Sequence, residues 1–228
     1  MLKKLETLRL KSRRHGTAAT AYEAAVKALG SVADFKILRG VFVGRPDPAF
    51  LECPYQPMLL DDAALRRFAR DPANELSPEF IDEATARGDQ CYAICDGDRL
   101  AAYGWYAFGD TPIGLPGVLL RYSPGYVYMY KGFTHIDYRG QRLHAVGMTR
   151  ALQHYLSKGF KGIVSYVESI NFDSLKSCFR MGYSLFGTVY VVKVFGRYLS
   201  FSTPGCSKYD FRVMRAGGRA ATGLIFGK

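Results

Sequence analysis

YMYKGFTHIDYRGQRLHAVGMTRAL, residues 128–152, is the stretch on which the fold turns. Around its start Tyr126, Tyr128 and Tyr130 fall on one face and Val127 and Met129 on the other. That alternation predicts a strand over Tyr126–His135. From Gln141 the period changes: Ala145, Met148, Leu152, Tyr155 and Leu156 recur at helical spacing, predicting a helix over Gln141–Ser157 that Gly159 closes. Gly140 sits directly before that helix. A glycine-bearing loop feeding a helix start presents unpaired backbone N–H groups and the positive end of the helix dipole, which together bind phosphate. Arg139 and Arg142 would strengthen the site. An ordinary strand-to-helix turn with solvated arginines accounts for the same pattern.

Upstream, residues 17–29 predict a helix stopped by Gly30, and Phe35–Val43 a strand, followed by a Pro-rich connection to Pro54. Asp61–Arg70 and Ser77–Arg87 predict helices, the second with Ser77 as N-cap, Pro78 in the first turn and Gly88 as the stop. Gln90–Cys95 and Leu100–Phe108 flank Asp96-Gly97-Asp98, the pattern of a tight hairpin. Residues 109–125, with three prolines and four glycines, predict a loop with at most a short strand. Downstream come a strand at Ile163–Val167, a helix at Asn171–Met181 stopped by Gly182, and a hairpin of Tyr183–Val194 with Arg197–Phe201. The last 25 residues are poorly patterned. This order predicts an α/β fold: a mixed, mostly antiparallel central sheet with helices on both faces.

The 228 residues carry 48% hydrophobic side chains, enough for one sizeable domain with a full core. No run approaches the roughly 20 apolar residues of a membrane span, and the basic start lacks an apolar core, so neither a span nor a secretory signal is expected. A cytoplasmic location follows. The five cysteines are odd in number and show no metal spacing, which excludes a disulfide framework or zinc site from the reading. The net charge of +11 suits an anionic partner in general, and nucleic acid is not expected as the main one.

Tyr138-Arg139-Gly140-Gln141-Arg142-Leu143-His144-Ala145 resembles the coenzyme A pyrophosphate loop of the GNAT N-acetyltransferase superfamily, written (Arg/Gln)-x-x-Gly-x-(Gly/Ala). Asn171-x-x-Ser174, followed by Gly182-Tyr183, resembles that superfamily's second motif. The resemblance covers roughly residues 55–201. It implies an acyltransferase domain over 51–203, an accessory segment of helix and strand over 1–50, and a basic tail over 204–228. The chain departs from the loop motif where Arg142 and His144 replace small residues. It departs again at Cys178, where many members place a tyrosine that protonates the leaving thiolate.

The resemblance implies direct transfer of an acetyl or other acyl group from acyl-CoA, acetyl-CoA foremost, to an amine on a small molecule or protein. The strand at Tyr126–His135 would pair with the pantetheine arm, and a backbone N–H near Phe133 or Thr134 would polarise the carbonyl. Arg139, Gly140, Gln141, Arg142, Leu143, His144 and Ala145, with Asn171 and Ser174, would hold the cofactor. The strand at Ile163–Val167 would diverge from its neighbour and open a channel. An ammonium acceptor must lose a proton, so a base is required; Glu168 and His135 are the candidates. Cys178 is either the proton donor or a packing residue. The tyrosine face lines an acceptor pocket or packs the core. Two alternatives stay open at this level: a carrier-protein or aminoacyl donor, and a non-catalytic binding module.

Overall fold

The computed structural model describes residues 10–217. A helical stretch at 10–15 precedes α1 (Thr17–Ala33), β1 (Lys36–Val43), β2 (Gln56–Leu60), α2 (Asp62–Phe68) and α3 (Pro78–Ala86). The hairpin of β3 (Gln90–Asp96) and β4 (Arg99–Ala107) follows, then β5 (Thr111–Pro112), β6 (Val118–Arg121) and β7 (Val127–Thr134). After these come α4 (Leu143–Ser157), β8 (Ile163–Glu168), α5 (Phe172–Arg180), β9 (Ser184–Val194), β10 (Arg197–Ser202) and β11 (Arg212–Arg215).

The cap predicted at Ser77 forms, and Asp61 and Asn171 cap their helices as well. Ser77 Oγ accepts from the Phe80 N–H, Asp61 from Ala64, and Asn171 Oδ1 from Ser174, each satisfying a donor that the helix start leaves unpaired. Gly30 does not stop α1. The helix runs on to Ala33, and Asp34 takes the left-handed ending conformation at φ 45°. Gly30 serves close packing instead, because a Cβ there would sit 3.3 Å from the Phe35 carbonyl oxygen. α4 starts two residues later than its pattern suggests, since both Gly140 (φ 85°) and Arg142 (φ 59°) are left-handed and keep the loop open.

Eight strands form one sheet in the order β10-β9-β1-β8-β7-β4-β3-β2, antiparallel throughout except for the β7–β8 pair. Alternation sends Val127 and Met129 to one face, against Met148, Ala151, Leu152 and Tyr155 of α4 and Cys178 of α5. The opposite face takes Leu65 and Phe68 of α2 and Ile81 and Ala84 of α3 against Cys91, Ala93, Tyr103 and Trp105. Both faces are thus covered, as the helix order predicts.

One expectation is corrected. Residues 109–125 are more than a loop: β5 and β6 join β11 in a second, three-stranded sheet, whose Leu120 and Val213 pack, with Phe211, on Tyr128, Val164, Val189 and Val191 of the first. Segments before residue 50 and after residue 203 also contribute strands to the sheets. β1 lies between β8 and β9 in the middle of the sheet, and Cys206, Tyr209, Phe211, Val213 and Met214 beyond residue 203 are buried. Such pairings join residues about a hundred or more positions apart, which local periodicity cannot register. The basic start at residues 1–9 and the last part of the basic tail, residues 218–228, lie outside the described residues.

Candidate functional site

β7 and β8 are paired at only two positions, Val127↔Ile163 and Tyr128↔Val164. Beyond them the strands part, with the Ser165 hydroxyl donating to the Met129 carbonyl at 2.7 Å where the gap opens. At the same point β7 bulges: Met129 faces Tyr106 and Lys131 faces Trp105 on β4, so Tyr130 has no partner. A bulge bends its strand and re-aims its side chain. From there to Thr134 β7 pairs only with β4 among the described residues. The His135 N–H bonds the Ala101 carbonyl, so by alternation the N–H and C=O of Phe133 turn toward β4, while those of Gly132 and Thr134 face the gap.

At the far end of β7, His135 Nδ1 accepts from the Asp137 N–H at 3.3 Å and caps a short 3-10 turn, Ile136–Tyr138. The buried Tyr138 anchors the turn by donating to Asp96 at 2.7 Å, and Tyr55 donates to Gln141 Oε1 at 2.9 Å. Arg139, Gly140, Gln141 and Arg142 are exposed. α4 then begins with no side-chain cap, and its first backbone bond runs from the Val146 N–H to the Arg142 carbonyl. The N–H groups of Leu143, His144 and Ala145 therefore have no acceptor among the described residues. A 15-residue helix thus directs bare donors and its positive dipole end toward the loop that carries two arginines.

His144 follows a separate logic. Its imidazole lies against the backbone of Gly132, where a Cβ would come within 2.5 Å of ring carbon Cε1. Burial pushes its pKa down, so the ring is neutral at physiological pH. On the opposite face of β7, Tyr130 donates to Asp89 Oδ2 at 3.0 Å, and Arg87 donates to the same oxygen through Nε (3.1 Å) and Nη2 (2.8 Å). Tyr130 also stacks on Tyr128, and Tyr128 on Tyr166 of β8, at 5.9 and 6.3 Å between ring centres. The tyrosines form a wall that spans the strand junction.

No family model matches the chain, and no curated protein matches its sequence. Solved structures do. A protein from Novosphingobium aromaticivorans described as an acetyltransferase of the GNAT family superposes with a TM-score of 0.52 at 15% identity, over 69% of this chain and 63% of that one. The chain has the GNAT fold. It spans a little under two thirds of that relative's length. A GNAT-family acetyltransferase from Colwellia psychrerythraea matches at 16% identity and a TM-score of 0.46, over 66% of this chain and 53% of that one. A GCN5-related N-acetyltransferase-like protein from Streptococcus suis matches at 12% and 0.45, over 73% and 64%.

The other candidates hold distinct places in this GNAT fold. Asn171 and Ser174 form the N-terminal cap of α5, a structural pairing at 3.1 Å. Cys178 is buried beside Met181 and Tyr183, and desolvation pushes its pKa up to about 11. Glu168, at the end of β8, accepts from Lys36 Nζ at 2.6 Å in a cleft under α1 with Asp34 and Ser169. His135 is engaged by its own turn. The start of α4 meets β7 beside the gap through His144 against Gly132, whereas Glu168 and His135 each have a local partner. Sequence reasoning did not single out Asp89 or Arg87, since only a bulge at Tyr130 brings them to the gap.

Among the described residues no helix is long and apolar enough to cross a membrane, and no group of three or more His, Cys, Asp or Glu is disposed to hold a metal.

Proposed function

We propose that this chain is an N-acyltransferase that takes an acyl group from acyl-CoA, acetyl-CoA foremost, and transfers it directly to an amine on a small molecule or protein. The observation that carries the reading is the β7–β8 gap opening beside the uncapped start of α4. The residues present suit the donor. Backbone N–H groups of Leu143, His144 and Ala145, with the exposed Arg139 and Arg142, would take the pyrophosphate, Gly140 and Gln141 shaping the loop around it. The free edge of β7 at Gly132 and Thr134 would pair with the pantetheine amides and hold the carbonyl by the Thr134 N–H, while Phe133 next to it bonds toward β4. The donor supplies an activated thioester; this chain orients it and keeps water from its carbonyl.

Cys178 is assigned to packing, because a thiol with so high a pKa is a slow acid toward a departing thiolate. A cytoplasmic location is proposed on the five free thiols. Titration with acetyl-CoA while following thermal unfolding tests the reading. At about a hundred times its dissociation constant, the ligand should add roughly 2.7 kcal/mol of stability. A folded protein that millimolar acetyl-CoA leaves unshifted overturns it. Phosphopantetheine alone, lacking the nucleotide, should shift it less.

A further inference from the structure

Tyr130 occupies an unusual position. It is the bulged residue of β7, two positions past the last strand pair, where the gap opens. Its ring lies on the face opposite α4, against Tyr128 and, at 6.3 Å, Phe80 of α3. The phosphate-suited loop belongs to the α4 end, so a nucleophile approaching from the Tyr130 side would not compete with the donor. Tyr130 is half-buried, while the side chain of Asp89 behind it is only 3% exposed. The tyrosine thus connects the gap to a carboxylate that solvent scarcely reaches.

The hydrogen bonds have a direction. Tyr130 spends its one proton on Asp89, so the lone pairs of its oxygen remain for another donor. Asp89 Oδ2 accepts from Arg87 twice and from Tyr130 once, while Oδ1 has no hydrogen bond among the described residues. We propose that Tyr130 and Asp89 form the proton relay for the acceptor amine, Tyr130 touching the amine and Asp89 receiving the charge. The proposal rests on the acyltransferase reading above.

The step balances as follows. The ammonium passes one proton to Tyr130 Oη as the Tyr130 hydroxyl proton moves to Asp89. The freed nitrogen lone pair forms the C–N bond, the C–S bond breaks with its electrons on sulfur, and a second N–H proton ends on the thiol. Asp89 later returns its proton to solvent. Arg87 is a positioning residue that holds the carboxylate. The charged and titratable groups facing Asp89 are Arg87 from the end of α3, Tyr130 from β7, and Tyr122 from the segment before β7. Burial raises the Asp89 pKa against the opposing pull of Arg87 and Tyr130, which makes it a better proton acceptor.

The test compares Tyr130→Phe and Asp89→Asn with the parent, using acetyl-CoA and three amines: spermidine, tyramine and lysine amide. At neutral pH each variant should lose about a hundredfold in turnover. Near the pKa of a free alkylamine, about 10, most of that loss should disappear because the amine arrives deprotonated. Acetyl-CoA should stabilise all three proteins equally. Calorimetry without donor should show the amine binding about tenfold more weakly to Tyr130→Phe than to the parent. Turnover of Tyr130→Phe within about threefold of the parent at neutral pH, or an equal loss at both pH values, overturns the relay. Should Asp89→Asn fail to fold, Tyr130→Phe decides alone, since it removes one oxygen and keeps the ring. A parent that acetyl-CoA stabilises but that neither binds nor acetylates any of the amines overturns the relay and leaves the donor reading standing. A parent that acetyl-CoA does not stabilise overturns both.

Discussion

Cys178 shows how burial assigns a role. The thiol lies among Met181, Tyr183, Met148 and Val167, and desolvation alone carries its pKa to about 11. Cys178→Ala should therefore leave turnover within about threefold of the parent and cost on the order of 1 kcal/mol in denaturant unfolding. A hundredfold loss of turnover with donor affinity intact would make it the proton donor after all. Glu168 is tied to Lys36 with both side chains about a third exposed, a pair of the kind that contributes less than about 1 kcal/mol. Glu168→Gln should change stability little and, with the proton moving through Tyr130, turnover little. His144 makes a pH prediction. Its folded pKa lies below the ordinary value of 6.5, so the unfolded chain binds the extra proton first. Stability is full above about 6.5 and falls as pH drops through that value. The slope between pH 7 and 5 should flatten in His144→Gln; an unchanged slope would assign it to other groups.

At the scale of elements, the loop from Arg139 to Arg142 separates two contributions to anion binding. Arg142 holds a left-handed conformation that costs a non-glycine residue about 1 kcal/mol, at a position where the related motif has glycine. Arg142→Gly should thus keep or slightly raise the melting temperature while lowering acetyl-CoA affinity, if the side chain meets phosphate as proposed. Unchanged affinity would give the whole task to the backbone N–H groups. Much of this region was legible in the sequence. The strand alternation at Tyr126–Tyr130, the stops at Gly88 and Gly182, the cap at Ser77 and the hairpins all depend on neighbours a few residues away. What was not legible depends on distant ones. The bulge at Tyr130 exists because β4 and β7 slip register by one residue, and no local pattern records a slip. Gly30 carries the usual signal of a helix stop, yet tertiary packing against the Phe35 carbonyl draws α1 past it.

For the whole molecule, both ends of the described chain return to the centre. β1 fills the place between β8 and β9 and buries Leu38, Val41 and Val43. The segment after residue 203 supplies β11 and brings Phe211 edge-on to Phe186 at 5.1 Å, under the sheet that also carries the tyrosine wall. Removing either end would strip strand edges and expose apolar surface on the same core that holds the gap open. A chain that starts at residue 51 should therefore not fold cooperatively, because β8 and β9 would both lose their partner in the middle of the sheet. The C-terminal claim is sharper, since a point substitution tests it without altering the backbone. Phe211 is 1% exposed, so Phe211→Ala should cost about 3–5 kcal/mol by the large-to-small rule. A dispensable basic tail would give less than about 0.5 kcal/mol, the value typical of surface sites. Denaturant unfolding with an unchanged m-value distinguishes the two, and a loss near the lower figure would return residues 204–215 to the tail that the sequence alone suggests.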